Sequence, residues 1–144
     1  MTHSPAKVLS QLLIDLEVGT VPSANSEWPT YFDNEPATPD NVITTYNARR
    51  VGGFRKMPDG VFVGPQGVQV RVRGKDSTTG YARTVLVAEA LATVLRRTVT
   101  VDGSVYRVQC LSTISDVFPL GKESPTSKRN LFTLDMLMSV TQCS

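Results

Sequence analysis

The sequence predicts an α+β domain in which two helices cover one face of a mixed, mostly antiparallel sheet. Two segments, near residues 5–18 and 77–97, repeat apolar residues at helical spacing, and several others alternate apolar with polar residues as half-buried strands do. The 144 residues, 40% of them hydrophobic, suffice for one core. We therefore expect a single domain over residues 1–144, with long loops near 47–66 and 113–129.

The first helix is expected over about residues 5–18. Ser4 is a suitable N-cap, and Pro5 follows it at a position where the missing N–H costs nothing. Gly19 is expected to end the helix by adopting a left-handed conformation. The apolar stripe of this helix consists of Val8, Leu9, Leu12, Leu13 and Leu16.

Residues 28–66 are expected to form two short strands and a long loop. The segment 28–32 is aromatic and strand-like, and Pro29 confines it to a strand start or a sheet edge. The prolines of segment 35–41 predict a turn, and 42–46 is the next strand. Segment 47–66, rich in glycine and proline, predicts a mobile loop, in which 61–63 is the one stretch that fits a short strand.

The next strand is predicted from the run Gly-Val-Gln-Val-Arg-Val-Arg-Gly at residues 67–74. Its alternation is typical of a strand with one buried face, and the three valines are expected to face the core. The residues expected to point outward are Gln69, Arg71 and Arg73.

Three interpretations of the two outward arginines stay open. They form a solvated face, with Asp135 as a cross-strand partner or with Arg107 nearby. They belong to a subunit interface or to the wall of a passage, where the bidentate pairing of arginine with carboxylates has a use. They bind DNA, although a single-strand binder needs exposed aromatic side chains, which these strands place on the apolar face.

The second helix is the best-specified element of the chain. Asp76 precedes three hydroxyl residues, Ser77, Thr78 and Thr79, any of which is expected to cap the helix. Arg96 and Arg97 at its end suit the negative pole of the helix dipole. The expected core-facing stripe is Tyr81, Val85, Ala88, Ala92 and Leu95, broadened by Ala82, Leu86 and Leu91.

The last third of the chain predicts a hairpin, a loop and a long strand. Asp102-Gly103 supplies the two positive-φ positions of a tight turn between strands 98–101 and 104–112. In the second of these strands, Arg107 and Gln109 are expected on the outer face. The inner face is expected to carry Tyr106, Val108 and Cys110, with Cys110 as a core residue. Segment 116–128 is expected to be a loop, and the final strand turns Phe132, Leu134, Met136, Met138 and Val140 to the core.

No residue pattern in the sequence predicts catalysis, a metal or a cofactor. The one histidine, His3, is expected in a frayed terminus, and Ser104 belongs to a hairpin turn rather than a nucleophile elbow. Asp33, Glu35 and Asp40 lie among prolines, where acids serve turns. Neither a phosphate-binding glycine loop nor cysteine metal-ligand spacing is present, and Cys143 is a tail thiol. We expect a protein that is not an enzyme.

Charge is unevenly distributed along the chain, although the net charge is only +2. Residues 1–45 carry one base against six acids, whereas residues 46–83 carry eight bases against two acids. This asymmetry suits contact with further copies or with a charged partner. The candidate interface or lumen residues are Arg49, Arg50, Arg55, Lys56, Arg71, Arg73, Arg107, Lys122, Lys128 and Arg129.

Several short motifs in fixed order carry a family resemblance. They are Trp28-Pro29-x-Tyr31, the run Glu35-Pro36-x-x-Pro39-Asp40-Asn41-x-Ile43-Thr44-x-Tyr46, the strand 67–73, and Tyr81-Ala82. Over roughly residues 5–97 the chain resembles the minor capsid or tail-completion proteins of long-tailed bacteriophages, and in particular the tail terminator family. The remainder is similar through its strand pattern.

The resemblance implies a small α+β protein that forms a homohexameric ring on the last ring of the tail tube. The implied partners are further copies, the tail tube protein and a head-completion or stopper protein, with DNA only in transit through the lumen. It implies a place in the tail or neck of the virion after assembly in the host bacterial cytoplasm, with no membrane contact. The alternatives are a head-completion or connector protein that binds the portal, and a nucleic-acid-binding module that uses the basic middle segment.

Overall fold

The computed structural model describes residues 2–48, 55–56, 62–63, 65–113 and 115–143, of which 55–56 and 62–63 are described by their backbone alone. Most of the predicted loop 47–66 therefore lies outside the described residues. The helices are α1 (Pro5–Asp15) and α2 (Ser77–Ala92). The strands are β1 (Thr30–Phe32), β2 (Val42–Asn47), β3 (Arg55–Lys56), β4 (Phe62–Val63), β5 (Gln66–Gly74), β6 (Arg97–Val101), β7 (Ser104–Thr113), β8 (Phe118–Lys122) and β9 (Asn130–Gln142).

The main sheet has the order β1-β2-β5-β9-β7-β6, with β8 paired to the first part of β9. Its pairs are antiparallel except that β1 runs parallel to β2. Strands β3 and β4 form a separate antiparallel pair. The predicted α+β class and mixed, mostly antiparallel sheet are confirmed.

Both helices pack on the same face of this sheet. Helix α1 packs against β1, β2, β5 and β6, and α2 packs against β5, β9 and β7. The sheet curls so that its two ends, β1 and β6, both reach α1. The valines of β5 are fully buried against the helices, as expected, and so are the predicted apolar residues of β9. The β1 segment containing residue 30 is an edge strand, in agreement with the proline that precedes it.

Helix α1 begins as predicted and ends earlier. The Ser4 hydroxyl accepts a hydrogen bond from the Lys7 backbone N–H at 3.3 Å. At the other end Glu17, with φ of 63°, takes the left-handed conformation that was expected of Gly19, so that prediction is wrong. Gly19 is required for a different reason, because a Cβ there would overlap the Thr30 hydroxyl.

Of the residues of α2 predicted to face the core, only Leu91 is fully buried. The helix buries Gly80, Thr84, Val87 and Leu91, whereas Tyr81 is 53% exposed. Its N-cap is Asp76, whose carboxylate accepts from the Thr79 N–H at 2.7 Å, and none of the three hydroxyl residues caps it. The prediction failed because residues 80, 84, 87 and 91 follow the same helical spacing as the expected stripe, one position earlier.

The β6–β7 hairpin forms as predicted, with φ of 47° at Asp102 and 83° at Gly103. The prediction that Cys110 is a core residue is wrong, because Cys110 is exposed. The pairing of β7 with β9 shifts between Val108 and Cys110, and this bulge interrupts the alternation of faces. The predicted loop 116–128 also contains a strand, β8, and is wrong to that extent.

Candidate functional site

The Arg73 side chain lies on the sheet face opposite the helices, yet it is only 2% exposed. Its Nε donates to the Asp40 carbonyl at 3.3 Å and its Nη2 to the Pro39 carbonyl at 2.7 Å. Nη1 lies 3.9 Å from Glu35 Oε1 and 3.7 Å from Glu123 Oε1. Arg73 points away from the helices as predicted, but the first of the three interpretations, a solvated face, is wrong for it, since the turn 35–41 and the segment around Glu123 cover it.

This environment explains why the position holds arginine. A buried cation is tolerated only where partners replace its hydration, and here two carbonyls and two carboxylates do so. The planar guanidinium presents donors in several directions at once, which the single ammonium of lysine does not. Arg73 thus fixes the turn 35–41 on the end of β5, and we place it in the structure of the subunit rather than on a free surface.

Arg129 holds the same turn from the other side. Its Nε donates to Asp40 Oδ1 at 2.8 Å and its Nη1 to the Ala37 carbonyl at 2.7 Å. Nη1 also lies 3.5 Å from Glu123 Oε2. The acids of the first third of the chain thus meet bases of later segments within one subunit. Part of the charge asymmetry that predicted intermolecular contact is satisfied inside the domain.

Arg71 is less enclosed, with one third of its side chain exposed. Its Nη1 lies 3.8 Å from Glu35 Oε2, and its guanidinium lies 5.3 Å from the centre of the Tyr46 ring. Burial, followed by the nearby Glu35 carboxylate, raises the pKa of Tyr46. Asp135 does not pair with Arg71, because its carboxylate accepts from Gln69 Nε2 at 2.9 Å.

The remaining candidate bases are distributed over the chain. Arg107, Lys122 and Lys128 are exposed. Arg107 is separated from the β5 arginines by the whole of β9, so it is no neighbour of theirs. Arg49 and Arg50 lie outside the described residues, and the side chains of residues 55 and 56 do as well. The candidate residues therefore do not form one basic patch among those described.

Two aromatic contacts anchor other residues of the sequence motifs. The Arg83 guanidinium lies 5.0 Å from the centre of the Trp28 ring and donates to the Val18 carbonyl at 3.2 Å. Burial lowers the pKa of Arg83. Tyr81 meets Phe132 edge to face, with ring centres 6.0 Å apart. These contacts join α2 to the segment before β1 and to β9.

His3 is ordered, so its predicted place in a frayed terminus is wrong. Its Nδ1 lies 2.6 Å from the Tyr106 hydroxyl and its Nε2 lies 3.5 Å from Asp102 Oδ2. Lys7 Nζ reaches the same carboxylate oxygen at 2.5 Å, and hydrogen bonds from Lys7 hold the pKa of Asp102 below its ordinary value. Tyr106 is fully buried, so the cluster ties the N-terminus to the β6–β7 hairpin.

The surface carries two groups of exposed apolar side chains that the sequence did not single out as surface. The first is the α2 flank, in which Tyr81 and Ala92 on the helix and Leu95 just beyond it are exposed; Tyr81 is 53% and Leu95 is 74% exposed. Val85 and Ala88, between them on the helix, are half-buried, and Ala88 packs against the core.

The β8 patch, Phe118 and Leu120, which are 59% and 45% exposed, belongs to neither group. Phe118 pairs with Thr133, which pairs with Arg71, so Phe118 lies on the sheet face opposite the helices.

The second group borders a cleft of about 360 Å³ beside α1. Val21 and Phe32, which are both exposed, line this cleft. The surface of its walls is mainly apolar. The residues that line the cleft include Lys7, Gln11, Ile14, Val21, Phe32 and Val101.

No protein-family model matches the chain, and no curated protein is significantly similar to it in sequence. Within the described residues, no cluster of three or more histidine, cysteine, aspartate or glutamate side chains has the geometry of a metal site. In that same part of the chain, neither helix is both long and apolar enough to cross a membrane.

Proposed function

We propose that the protein is a structural virion protein of a long-tailed bacteriophage, a tail terminator that caps the tail tube as a ring. In this role it acts by assembly and performs no chemistry. One side of the ring covers the tube end so that no further tube subunit adds, and the other side presents the surface that joins the head.

The observation that carries the proposal is that residues behind the family resemblance, far apart in sequence, meet in space. Arg73 of the strand motif bonds the backbone of Pro39 and Asp40 and pairs with Glu35, all from the proline-rich motif. The side-chain carbonyl of Asn41 accepts from the Lys75 N–H at 2.8 Å. Motifs that fold into one unit support a shared fold more strongly than their separate matches do.

The exposed strand β8 supports contact with a further protein chain. Among the described strands it pairs with β9 alone, and every one of its residues is exposed. An edge strand has one row of unpaired backbone N–H and C=O groups, onto which another strand can add, and apolar side chains give such a contact specificity. Phe118 and Leu120 supply these side chains. We propose that β8 contacts the tube or the head-side partner.

The test is to polymerise purified tail tube protein in the presence of increasing amounts of this protein and measure tube lengths by negative-stain electron microscopy. We expect a shorter mean length and a ring at one tube end. The double variant Phe118→Asp/Leu120→Asp should cap poorly. The matched control Ser112→Asp, on an exposed position of β7, should cap like the wild type. Tubes of unlimited length at saturating wild-type protein would overturn the proposal.

Two further binding experiments, one with tailless heads and one with DNA, distinguish the tail terminator from the two alternative functions. Binding to filled, tailless heads without any effect on tube length would identify a head-completion protein. A mobility shift with DNA at ~50 mM salt, which weakens steeply as salt rises, would identify a nucleic-acid-binding module.

A further inference from the structure

Strand β1 has a free edge, since among the described strands it pairs with β2 alone. The backbone N–H and C=O groups of successive residues in a strand point to opposite edges. The Asp33 N–H donates to the Thr45 carbonyl of β2 at 2.8 Å, so the odd-numbered positions of this segment face β2. The backbone groups of Thr30 and Phe32 therefore face the free edge.

The first part of this edge is covered by the chain itself. Thr20 donates its N–H to the Trp28 carbonyl at 3.1 Å and accepts from the Thr30 N–H at 2.9 Å, which makes one parallel bridge. The next donor in this row would be the N–H of residue 22, which is a proline. Because proline has no N–H, the pairing ends there. The Thr30 carbonyl and both backbone groups of Phe32 have no backbone partner among the described residues.

The apolar cleft beside α1 lies along this part of the edge. Its lining includes residues of β1, of the segment that leaves the edge, and of α1, namely Thr30, Phe32, Val21, Pro22 and Ile14. Val21 is 64% exposed and Phe32 is 40% exposed, so the cleft is open to a partner. The unpaired backbone groups and the apolar walls therefore border the same space of about 360 Å³.

The charges in the lining of the cleft neutralise each other. Lys7 and Asp102 are the charged residues of this lining, which lies within the described part of the chain, and Lys7 Nζ is 2.5 Å from Asp102 Oδ2. The same ammonium lies 5.4 Å from the centre of the Phe32 ring. The lining offers an ionic ligand no unpaired charge, whereas a neutral occupant with backbone donors and acceptors satisfies the free edge.

We propose that the free edge of β1 receives an extended segment of another protein, which adds as a strand and places one large apolar side chain in the cleft. The segment donates backbone N–H groups to the carbonyls of Thr30 and Phe32, and one of its carbonyls accepts from the Phe32 N–H. Its apolar side chain packs beside Phe32, Val21 and Ile14. The main-chain hydrogen bonds give such a contact affinity, and the cleft selects the side chain.

The experiment measures amide hydrogen exchange by NMR while the full chain is titrated with the blocked peptide acetyl-Lys-Thr-Xaa-Thr-Lys-amide, in which Xaa is Phe, Leu or Trp. In the free protein the Phe32 N–H should exchange faster than the Asp33 N–H, which is bonded to Thr45. With ~1 mM peptide and a Kd of ~0.1 mM, exchange at Phe32 should slow about tenfold. The Asp33 N–H is the internal reference and should not change.

Two kinds of control accompany the titration. A peptide with the same side chains and a methyl group on every backbone nitrogen lacks the donors and should leave exchange at Phe32 unchanged. Val21→Asp places a charge in the cleft and should weaken binding about tenfold or more. Phe118→Asp, on β8, should bind the peptide like the wild type. Both substituted side chains are exposed, so circular dichroism and thermal melting should show unchanged folds.

Four results would overturn the proposal. The first is that none of the three peptides binds at ~1 mM. The second is equal binding of the methylated peptide, which would leave an apolar pocket without strand addition. The third is loss of binding in Phe118→Asp and not in Val21→Asp, which would move the peptide to β8. The fourth is protection of the Phe32 N–H that rises with protein concentration in the absence of peptide, which would assign the cleft to a second copy. No tail tubes are used, so this proposal and the proposed function fail independently.

Discussion

The corner formed by Arg73, Glu35 and Glu123 buries a charged side chain, whereas the α2 flank exposes apolar side chains. At the corner a charged side chain is 2% exposed and is held by carbonyls and carboxylates from three segments. On the flank Tyr81 and Leu95 are 53% and 74% exposed. The corner is held by contacts within one subunit, whereas Tyr81 and Leu95 of the flank are exposed on it. The polarity of a residue therefore does not fix its exposure in this protein.

The largest expected effect tests whether the corner is structural. Arg73→Gln removes the most buried cation beside Glu35 and Glu123, which keep only the more exposed Arg71 and Arg129 as partners. Removing one partner of a buried ion pair costs about 3–5 kcal/mol. Urea unfolding should show this loss in the free energy of unfolding. Arg107→Gln, an exposed arginine outside the ion pairs, is the control and should change it by less than about 0.5 kcal/mol. A loss of less than about 1 kcal/mol for Arg73→Gln would show that the corner contributes little to folding.

The second effect compares the two stripes of α2. Leu91→Ala removes a fully buried side chain and should cost about 2–5 kcal/mol of unfolding free energy. Leu95→Ala, on the flank and 74% exposed, should change the stability of the monomer by about 0.5 kcal/mol or less. The comparison is made by urea unfolding at a concentration where the protein is monomeric. Equal losses would place Leu95 in the core and remove the case for a free flank.

Gly80→Ala tests how closely α2 lies on the sheet. A Cβ at Gly80 would come within 2.7 Å of the Phe132 ring, so we expect overpacking that costs about 1–3 kcal/mol. Alanine in a helix interior is otherwise favoured over glycine by about 1 kcal/mol, so the expected sign is opposite to the helix propensity. Thermal melting of the variant shows whether the substitution lowers or raises the stability of the protein. A raised melting temperature would mean that the helix has room to move away from Phe132.

Sequence patterns predicted most of the helices and strands, and they failed where one pattern was compatible with two different buried faces. Alternation located β5 and β9 and the valines that face the helices, because only one face of a sheet can meet a core. Periodicity favoured the wrong stripe of α2, since the buried one includes Gly80 and Thr84 and is the less apolar of the two. The small Gly80, which lets the helix approach Phe132, was the one signal that favoured the buried stripe.

The candidate site was harder to predict, because the chain brings distant segments over the outer sheet face. Nothing near Arg73 in the sequence reveals that the turn 35–41 and Glu123 cover it. The contact of His3 with Tyr106 is equally nonlocal. Exposed apolar residues on α2 were assigned to the core because apolar residues at helical spacing do not by themselves reveal which side of a helix meets the sheet.

The smallest expected effect concerns the start of α2, which positions the flank. Hydrogen bonds from the Thr79 N–H hold the pKa of Asp76 below its ordinary value of 3.8. A carboxylate with a lowered pKa in the folded state contributes stability above its ordinary pKa, and this is lost as the pH falls through the lowered value. Asp76→Asn keeps a side-chain acceptor for the cap and removes the titration. Thermal melting between pH 2 and 7 should therefore show a smaller loss of stability in acid for the variant than for the wild type; parallel curves would mean that the cap depends on the side-chain oxygen and not on its charge.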